Sequence, residues 1–191
     1  MLHVALWALR RIGARPAAAA LAAGAVLAAP GSPAGRDRPV ELELVLAVDA
    51  SASVQRAEFD LQVEGLARAF RHPEVLAALD SLSGRDVAVT LVQWSSPTRQ
   101  RVAIPWTRIS GAADSEALAS ALARMPRYVT SGGTATGQAI AFARSLFARN
   151  GYDGARRVID VSGDGRANMG RPPAMARDAA AAAGVTINGL A

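Results

Sequence analysis

Apolar residues recur along this chain in two rhythms. Leu42 to Val48 is apolar at nearly every position, the pattern of a parallel strand buried on both faces. Phe59, Val63, Leu66 and Phe70 then recur at helical spacing, and Ser53 stands where it could cap that helix. Pro73 to Leu82 reads as a further short helical stretch. Asp86 to Trp94 reads as a strand that Ser95-Ser96-Pro97 turns. Val102 to Trp106 is its partner, kept near a sheet edge by Pro105. Ser115 opens a helix to about Met125, and Ala139 to Phe147 forms another with Ile140, Ala143 and Phe147 on one side. Arg157 to Ser162 is a strand ending at Gly163-Asp164-Gly165. Pro172 and Pro173 start a helix over Ala174 to Ala183, Gly184 stops it, and Val185 to Leu190 is the last strand.

This alternation predicts an α/β fold, a doubly wound, mostly parallel sheet sandwiched by helices. The chain stops directly after what reads as an interior strand, so the sequence suggests a product truncated at its C-terminus. The expected organisation is a signal peptide over 1–34, a linker over 35–39 and an incomplete domain over 40–191.

Charge changes the picture mainly at the N-terminus. The formal net charge is +5. Arg10, Arg11 and Arg15 account for three of it in a segment without acids, which leaves +2 for the rest. No basic stripe with interleaved aromatics remains, so nucleic acid is not the expected partner. The early arginines precede an apolar, small-residue run from Ala17 to Ala29, broken by Pro30 to Ala34. That order is the signature of an export signal, cut after Ala34 or Ala28. The run is shorter than the roughly 20 residues a membrane span needs, so no span is expected in the mature chain. With no cysteine, the fold relies on its core and not on disulfides. A periplasmic or secreted protein fits these facts.

The chemistry gathers at strand ends. Asp49, Ser51 and Ser53 are spaced two apart where the first strand ends, and ligands in open α/β sheets bind beyond the carboxyl ends of strands. Thr134 arrives on a Gly-Gly loop, and Asp164 follows a later strand between two glycines. Carboxylates and hydroxyls make a hard, oxygen-rich set suited to magnesium or manganese. Taken singly, Asp49-Ala50-Ser51-Ala52-Ser53 could be a helix-capping loop and Gly163-Asp164-Gly165 a plain turn.

In order, these motifs resemble the von Willebrand factor type A family, whose metal ion-dependent adhesion site is D-x-S-x-S, then a distal Thr, then a distal Asp. The match runs through Asp49, Ser51 and Ser53, then Thr134 in Gly-Gly-Thr-Ala-Thr-Gly, then Asp164 in Val-Ser-Gly-Asp-Gly. The tryptophans in Val-Gln-Trp-Ser and Ile-Pro-Trp-Thr are similar to those of an exported, uncharacterised bacterial subgroup. The resemblance implies that Ser51 and Ser53 hold the ion directly and that Asp49 acts through water or by orienting ligands. Thr134 and Asp164 would exchange between direct and water-mediated contact, and a partner protein's Asp or Glu would complete the octahedron. One departure is Gly163, where the family often has Thr. Another is that the helix whose displacement reports switching would lie past residue 191.

Catalysis has little to stand on. The chain has no Cys and no G-x-S-x-G elbow, and His72, before Pro73, reads as a surface or capping residue. A structural domain with a vestigial metal site is the alternative, and a metal-dependent hydrolase a more distant one. Asp160 reads either as a carboxylate compensated by Arg156, Arg157 or backbone amides, or as a group orienting a metal ligand.

Overall fold

A computed structural model describes residues 37–82, 85–148, 150–163 and 166–190. The signal peptide expected over 1–34, the first two linker residues and Asp164 lie outside them. Strands β1 (Arg38–Asp49), β2 (Val87–Trp94), β3 (Gln100–Ile109), β4 (Tyr152–Ser162) and β5 (Val185–Leu190) form one sheet in the order β3-β2-β1-β4-β5. Neighbours are parallel except β2 with β3. Because β1 starts at Arg38, the last two residues expected in the linker belong to the sheet.

Among the described residues five helices cover the two faces: α1 (Arg56–Phe70), α2 (Pro73–Asp80), α3 (Ala112–Ala123), α4 (Thr136–Ser145) and α5 (Pro173–Ala182). The central strand is apolar throughout because it faces a core on each side. Its Leu42, Leu44, Leu46 and Val48 join Phe59, Val63, Phe70 and Leu122 of α1 and α3. Its Val45 and Ala47 meet Ile140 and Ala143 of α4 and Ala176 and Ala180 of α5. The doubly wound reading holds.

Strand β4 begins at Tyr152 and not at Arg157, and α4 at Thr136 and not at Ala139; three further differences from the sequence reading have a visible cause. The residue capping α1 is Gln55, whose N–H is held by Glu58 Oε2 at 2.7 Å, so Ser53 is left to the loop. Helix α3 starts at Ala112, and Ser115 lies inside it, buried, donating to the Phe70 carbonyl at 2.6 Å. Strand β3 is longer than Val102–Trp106, and Pro105 lies on it at the sheet edge, where a missing N–H costs little. His72 caps α2, its Nδ1 accepting from the Glu74 N–H. No helix among the described residues is long and apolar enough to cross a membrane.

Candidate metal centre

Parallel strands β1, β2 and β4 end on one side of the sheet, and three loops meet there. The first, after β1, carries Asp49, Ser51 and Ser53. Asp49 is buried at the strand terminus, and its Oδ1 accepts the Ser51 N–H at 2.7 Å, which turns the chain back beside the carboxylate. The Ser51 and Ser53 hydroxyls are 3.0 Å apart, the former buried and the latter exposed. Ala50 N–H donates to the Trp94 carbonyl at 2.8 Å and Ala52 N–H to the Gly132 carbonyl at 2.8 Å, so the loop is strapped to both neighbours.

The second loop brings Thr134. Its buried hydroxyl lies 3.5 Å from Ser51 Oγ. Gly132 sits at φ +110°, and a Cβ there would come within 2.1 Å of Ser96 Oγ, so the tight approach of this loop to the β2 end requires glycine. The third loop follows β4. A Cβ on Gly163 would stand 3.1 Å from Asp49 Oδ2 and 3.6 Å from Trp94 Cζ2, so the end of β4 closes on the aspartate without a side chain. Further on, Asn168 exchanges hydrogen bonds with Thr134: its Oδ1 accepts the Thr134 N–H at 2.9 Å and its N–H reaches the Thr134 carbonyl at 3.0 Å. Asp164, on this loop, lies outside the described residues.

Four of the five residues singled out from sequence are therefore described, and three hydroxyls and one carboxylate gather at a single strand-end crevice. Among the described residues no three His, Cys, Asp or Glu side chains cluster as a metal-binding group. The donors here are hydroxyls with Asp49, hard oxygen ligands that fit magnesium or manganese and offer nothing to a soft metal.

The residues that hold this arrangement escaped the sequence reading. Arg127 donates to the carbonyls of Ala50 at 2.9 Å, Ser51 at 2.8 Å and Val54 at 3.0 Å, and to Val129 at 3.0 Å. It fixes the first loop from beneath, a use of the planar five-donor guanidinium. Gln93, fully buried near the end of β2, accepts from the Tyr128 and Val129 N–H groups at 2.7 and 3.2 Å and donates to the Pro126 carbonyl at 2.8 Å. A glutamine inside the apolar run of β2 was the legible signal; nothing in its residue type marks Arg127 among the other arginines.

Among the described residues Asp160 has neither an arginine partner nor a contact with the cluster. It faces away from Arg157, which turns to Glu43 on the other side of the sheet, and it accepts from the Asn188 side chain at 2.5 Å. Burial pushes its carboxyl up to about 7, with the Asn188 bond opposing. Trp94 is buried, and Trp106 stacks at a tilt on Phe147 and Tyr152 while donating to the Leu146 carbonyl. Trp94 belongs to the core, and Trp106 packs half-buried against it.

Solved structures share this fold. A conserved hypothetical protein, BatB, from Bacteroides thetaiotaomicron is 21% identical, with 78% of this chain and 65% of that chain covered and a TM-score of 0.55. Proximal thread matrix protein 1 from the mussel byssus, with a zinc-occupied MIDAS motif, is 19% identical, covers 81% and 39%, and scores 0.57. An aerotolerance-related membrane protein from Bacteroides fragilis is 20% identical, covers 78% and 66%, and scores 0.53. This chain spans less than two thirds of each of them, and at these identities the likeness is one of fold. No curated protein matches the sequence. The described domain thus has the von Willebrand factor type A-like architecture, and the chain belongs to the family described as "Protein of unknown function (DUF1194)", whose model matches residues 39–191.

Proposed function

We propose that this domain is a divalent-cation-dependent protein-binding module of an exported protein. Magnesium or manganese is held by Asp49, Ser51, Ser53, Thr134 and Asp164, and an Asp or Glu of the partner completes the coordination. The observation that carries this reading is the convergence of the Ser51, Ser53 and Thr134 hydroxyls, 3.0 and 3.5 Å apart in sequence order of contact, beside a buried Asp49. Neutral hydroxyls leave a dication under-neutralised, so an incoming carboxylate is attracted to it. The solvent-exposed Ser53 marks the side from which a partner can approach. A hydrolytic metal would need a general base beside its water, and His72, the one histidine of the domain, is committed to capping α2.

The test uses a labelled short peptide with one central Glu, titrated into the full chain. Binding is expected in magnesium, lost in EDTA and lost in Thr134→Ala, with the variant's melting curve cooperative. Equal binding in all three settings would replace this reading with that of a structural module whose metal site is vestigial.

Export is part of the same proposal. Residues 1–34 direct the chain to the periplasm or the outside and are removed, so the mature protein starts near Gly35. N-terminal sequencing of the protein from cell fractions checks this, and an intact Met1 on cytoplasmic protein would overturn it.

A further inference from the structure

The fold gathers arginines that are scattered along the chain. The loops over 95–101, 126–134 and 166–172 surround Asp49, Ser51 and Thr134 through the contacts described above. These segments carry Arg99, Arg101, Arg127, Arg166 and Arg171 and no Asp or Glu, while Asp164, two residues before Arg166, is the ligand expected at the metal. Elsewhere, among the described residues, Arg38, Arg124 and Arg144 also lack a carboxylate partner, but seven arginines are neutralised in place: Arg56 by Asp60, Arg68 by Glu64, Arg71 by Glu116, Arg85 by Glu41, Arg108 by Asp86, Arg157 by Glu43 and Arg177 by Asp178. Among the described residues none of the five loop arginines has a carboxylate partner. The acids on the remaining side, Glu58 and Asp60 of α1, are engaged by the Gln55 N–H and by Arg56.

Among the described residues each loop arginine is placed without a carboxylate partner. Arg127 gives its guanidinium to backbone carbonyls below the site. Arg99 donates to the Ser131 hydroxyl, and Arg101 lies 4.0 Å above the Tyr128 ring. Arg166 and Arg171 are exposed. The same segments carry Tyr128 and Met169, 41% and 42% exposed. Arginine, tyrosine and methionine together are the residue types enriched where proteins meet proteins.

We propose that this arginine-ringed face docks an acidic segment of a partner protein, with one carboxylate at the metal and its neighbours on Arg99, Arg101, Arg166 and Arg171. The central contact rests on the metal-dependent reading above; the surrounding charge does not. Nucleic acid is the weaker fit, because Arg101 covers a face of Tyr128, the exposed aromatic of these loops, on which a base would stack. Two isolated apolar side chains are too little to seat the face in a lipid layer.

Fluorescence anisotropy on the full chain with magnesium present tests this with labelled probes: an Asp/Glu-rich peptide, an equally long Ser/Gly peptide with one Glu, and an oligonucleotide duplex. Co-sedimentation with vesicles of anionic phospholipid is the fourth arm. The acidic peptide is expected to bind about tenfold tighter than the single-Glu peptide, since several exposed charge pairs add up and steer association. The double variant Arg166→Glu, Arg171→Glu, at exposed positions, removes that advantage, and Arg99→Ala on a separate loop reduces it. Equal affinity for both peptides, or indifference to these variants, overturns the proposal while magnesium-dependent binding leaves the metal reading standing. Arginine-dependent binding that is equal in magnesium and EDTA does the reverse. Tighter binding of the duplex or the vesicles than of the acidic peptide also overturns it.

Discussion

Arg127 carries more of the site's geometry than any single ligand does. Three of its acceptors lie between Asp49 and Gln55, so Arg127→Ala leaves half-buried carbonyls without a charged donor. The expected cost is about 2–3 kcal/mol in urea unfolding, the range for a hydrogen bond to a charged group, with a larger proportional loss in metal affinity. Arg127→Lys should recover little, because an ammonium cannot reach carbonyls spread along the loop. Asp160 is testable by pH. Held near 7 in the folded chain, it keeps a proton that the unfolded chain loses near its ordinary value of 3.8. Its contribution to stability is thus fully present below about pH 4 and is lost as pH rises through about 7. Asp160→Asn should flatten that slope and gain on the order of 4 kcal/mol at about pH 8; an unchanged pH profile would show that the carboxyl is not held protonated. Neither role was legible beforehand. Parity along β4 placed Asp160 on the face of Ser162, but only pairing with β5 brought Asn188 opposite it.

At the scale of elements, the apolar runs of β1, β2 and β4 were readable because central parallel strands are buried on both sides, and the helical faces because α1 and α4 repeat apolar residues at their own period. Starts were harder. Arg38 to Glu41 extend β1 beyond its apolar run because β4 offers a partner as far as Tyr152. Ser115 looks like a cap in sequence and serves instead as a buried donor to α1. The most informative polar residue in a strand is Glu43, wholly buried on β1. It accepts the Gly154 N–H at 2.7 Å, Arg157 Nε at 3.2 Å and the Asn150 amide, fastening the start of β4 to β1. A Cβ on Gly154 would stand 2.7 Å from Glu43 Cγ, so the clasp also fixes that glycine. Glu43→Ala should cost about 2–3 kcal/mol by loss of charge-assisted hydrogen bonds, and Glu43→Gln less, since an amide oxygen still accepts from Gly154. Equilibrium unfolding of the two variants, read against each other, separates the clasp from mere packing.

The whole molecule adds what neither residues nor elements contain. Arg99 and Arg171 lie far apart in sequence, and no window of the chain reveals that their loops meet at one site. The site has the same property: Asp49, Ser51 and Thr134 meet only because β1, β2 and β4 end on one side of one sheet. A ligand that bridges those loops must therefore act on global stability, since unfolding separates every donor. An ion present at about 100 times its dissociation constant adds about 2.7 kcal/mol by mass action, provided the unfolded chain does not bind it. At roughly 2–4 °C per kcal/mol for a domain of this size, the melting temperature should rise by about 5–10 °C in magnesium over EDTA. Asp49→Ala should melt cooperatively and show no such rise, because its carboxylate both charges the site and, through the Ser51 N–H, sets the loop that presents the two serine hydroxyls. Thr134→Ala, which removes one hydroxyl and leaves the Asn168 backbone exchange intact, should keep part of the rise. A wild-type protein with the same melting temperature in magnesium, manganese and EDTA would mean that these oxygens converge for the sake of the loops alone.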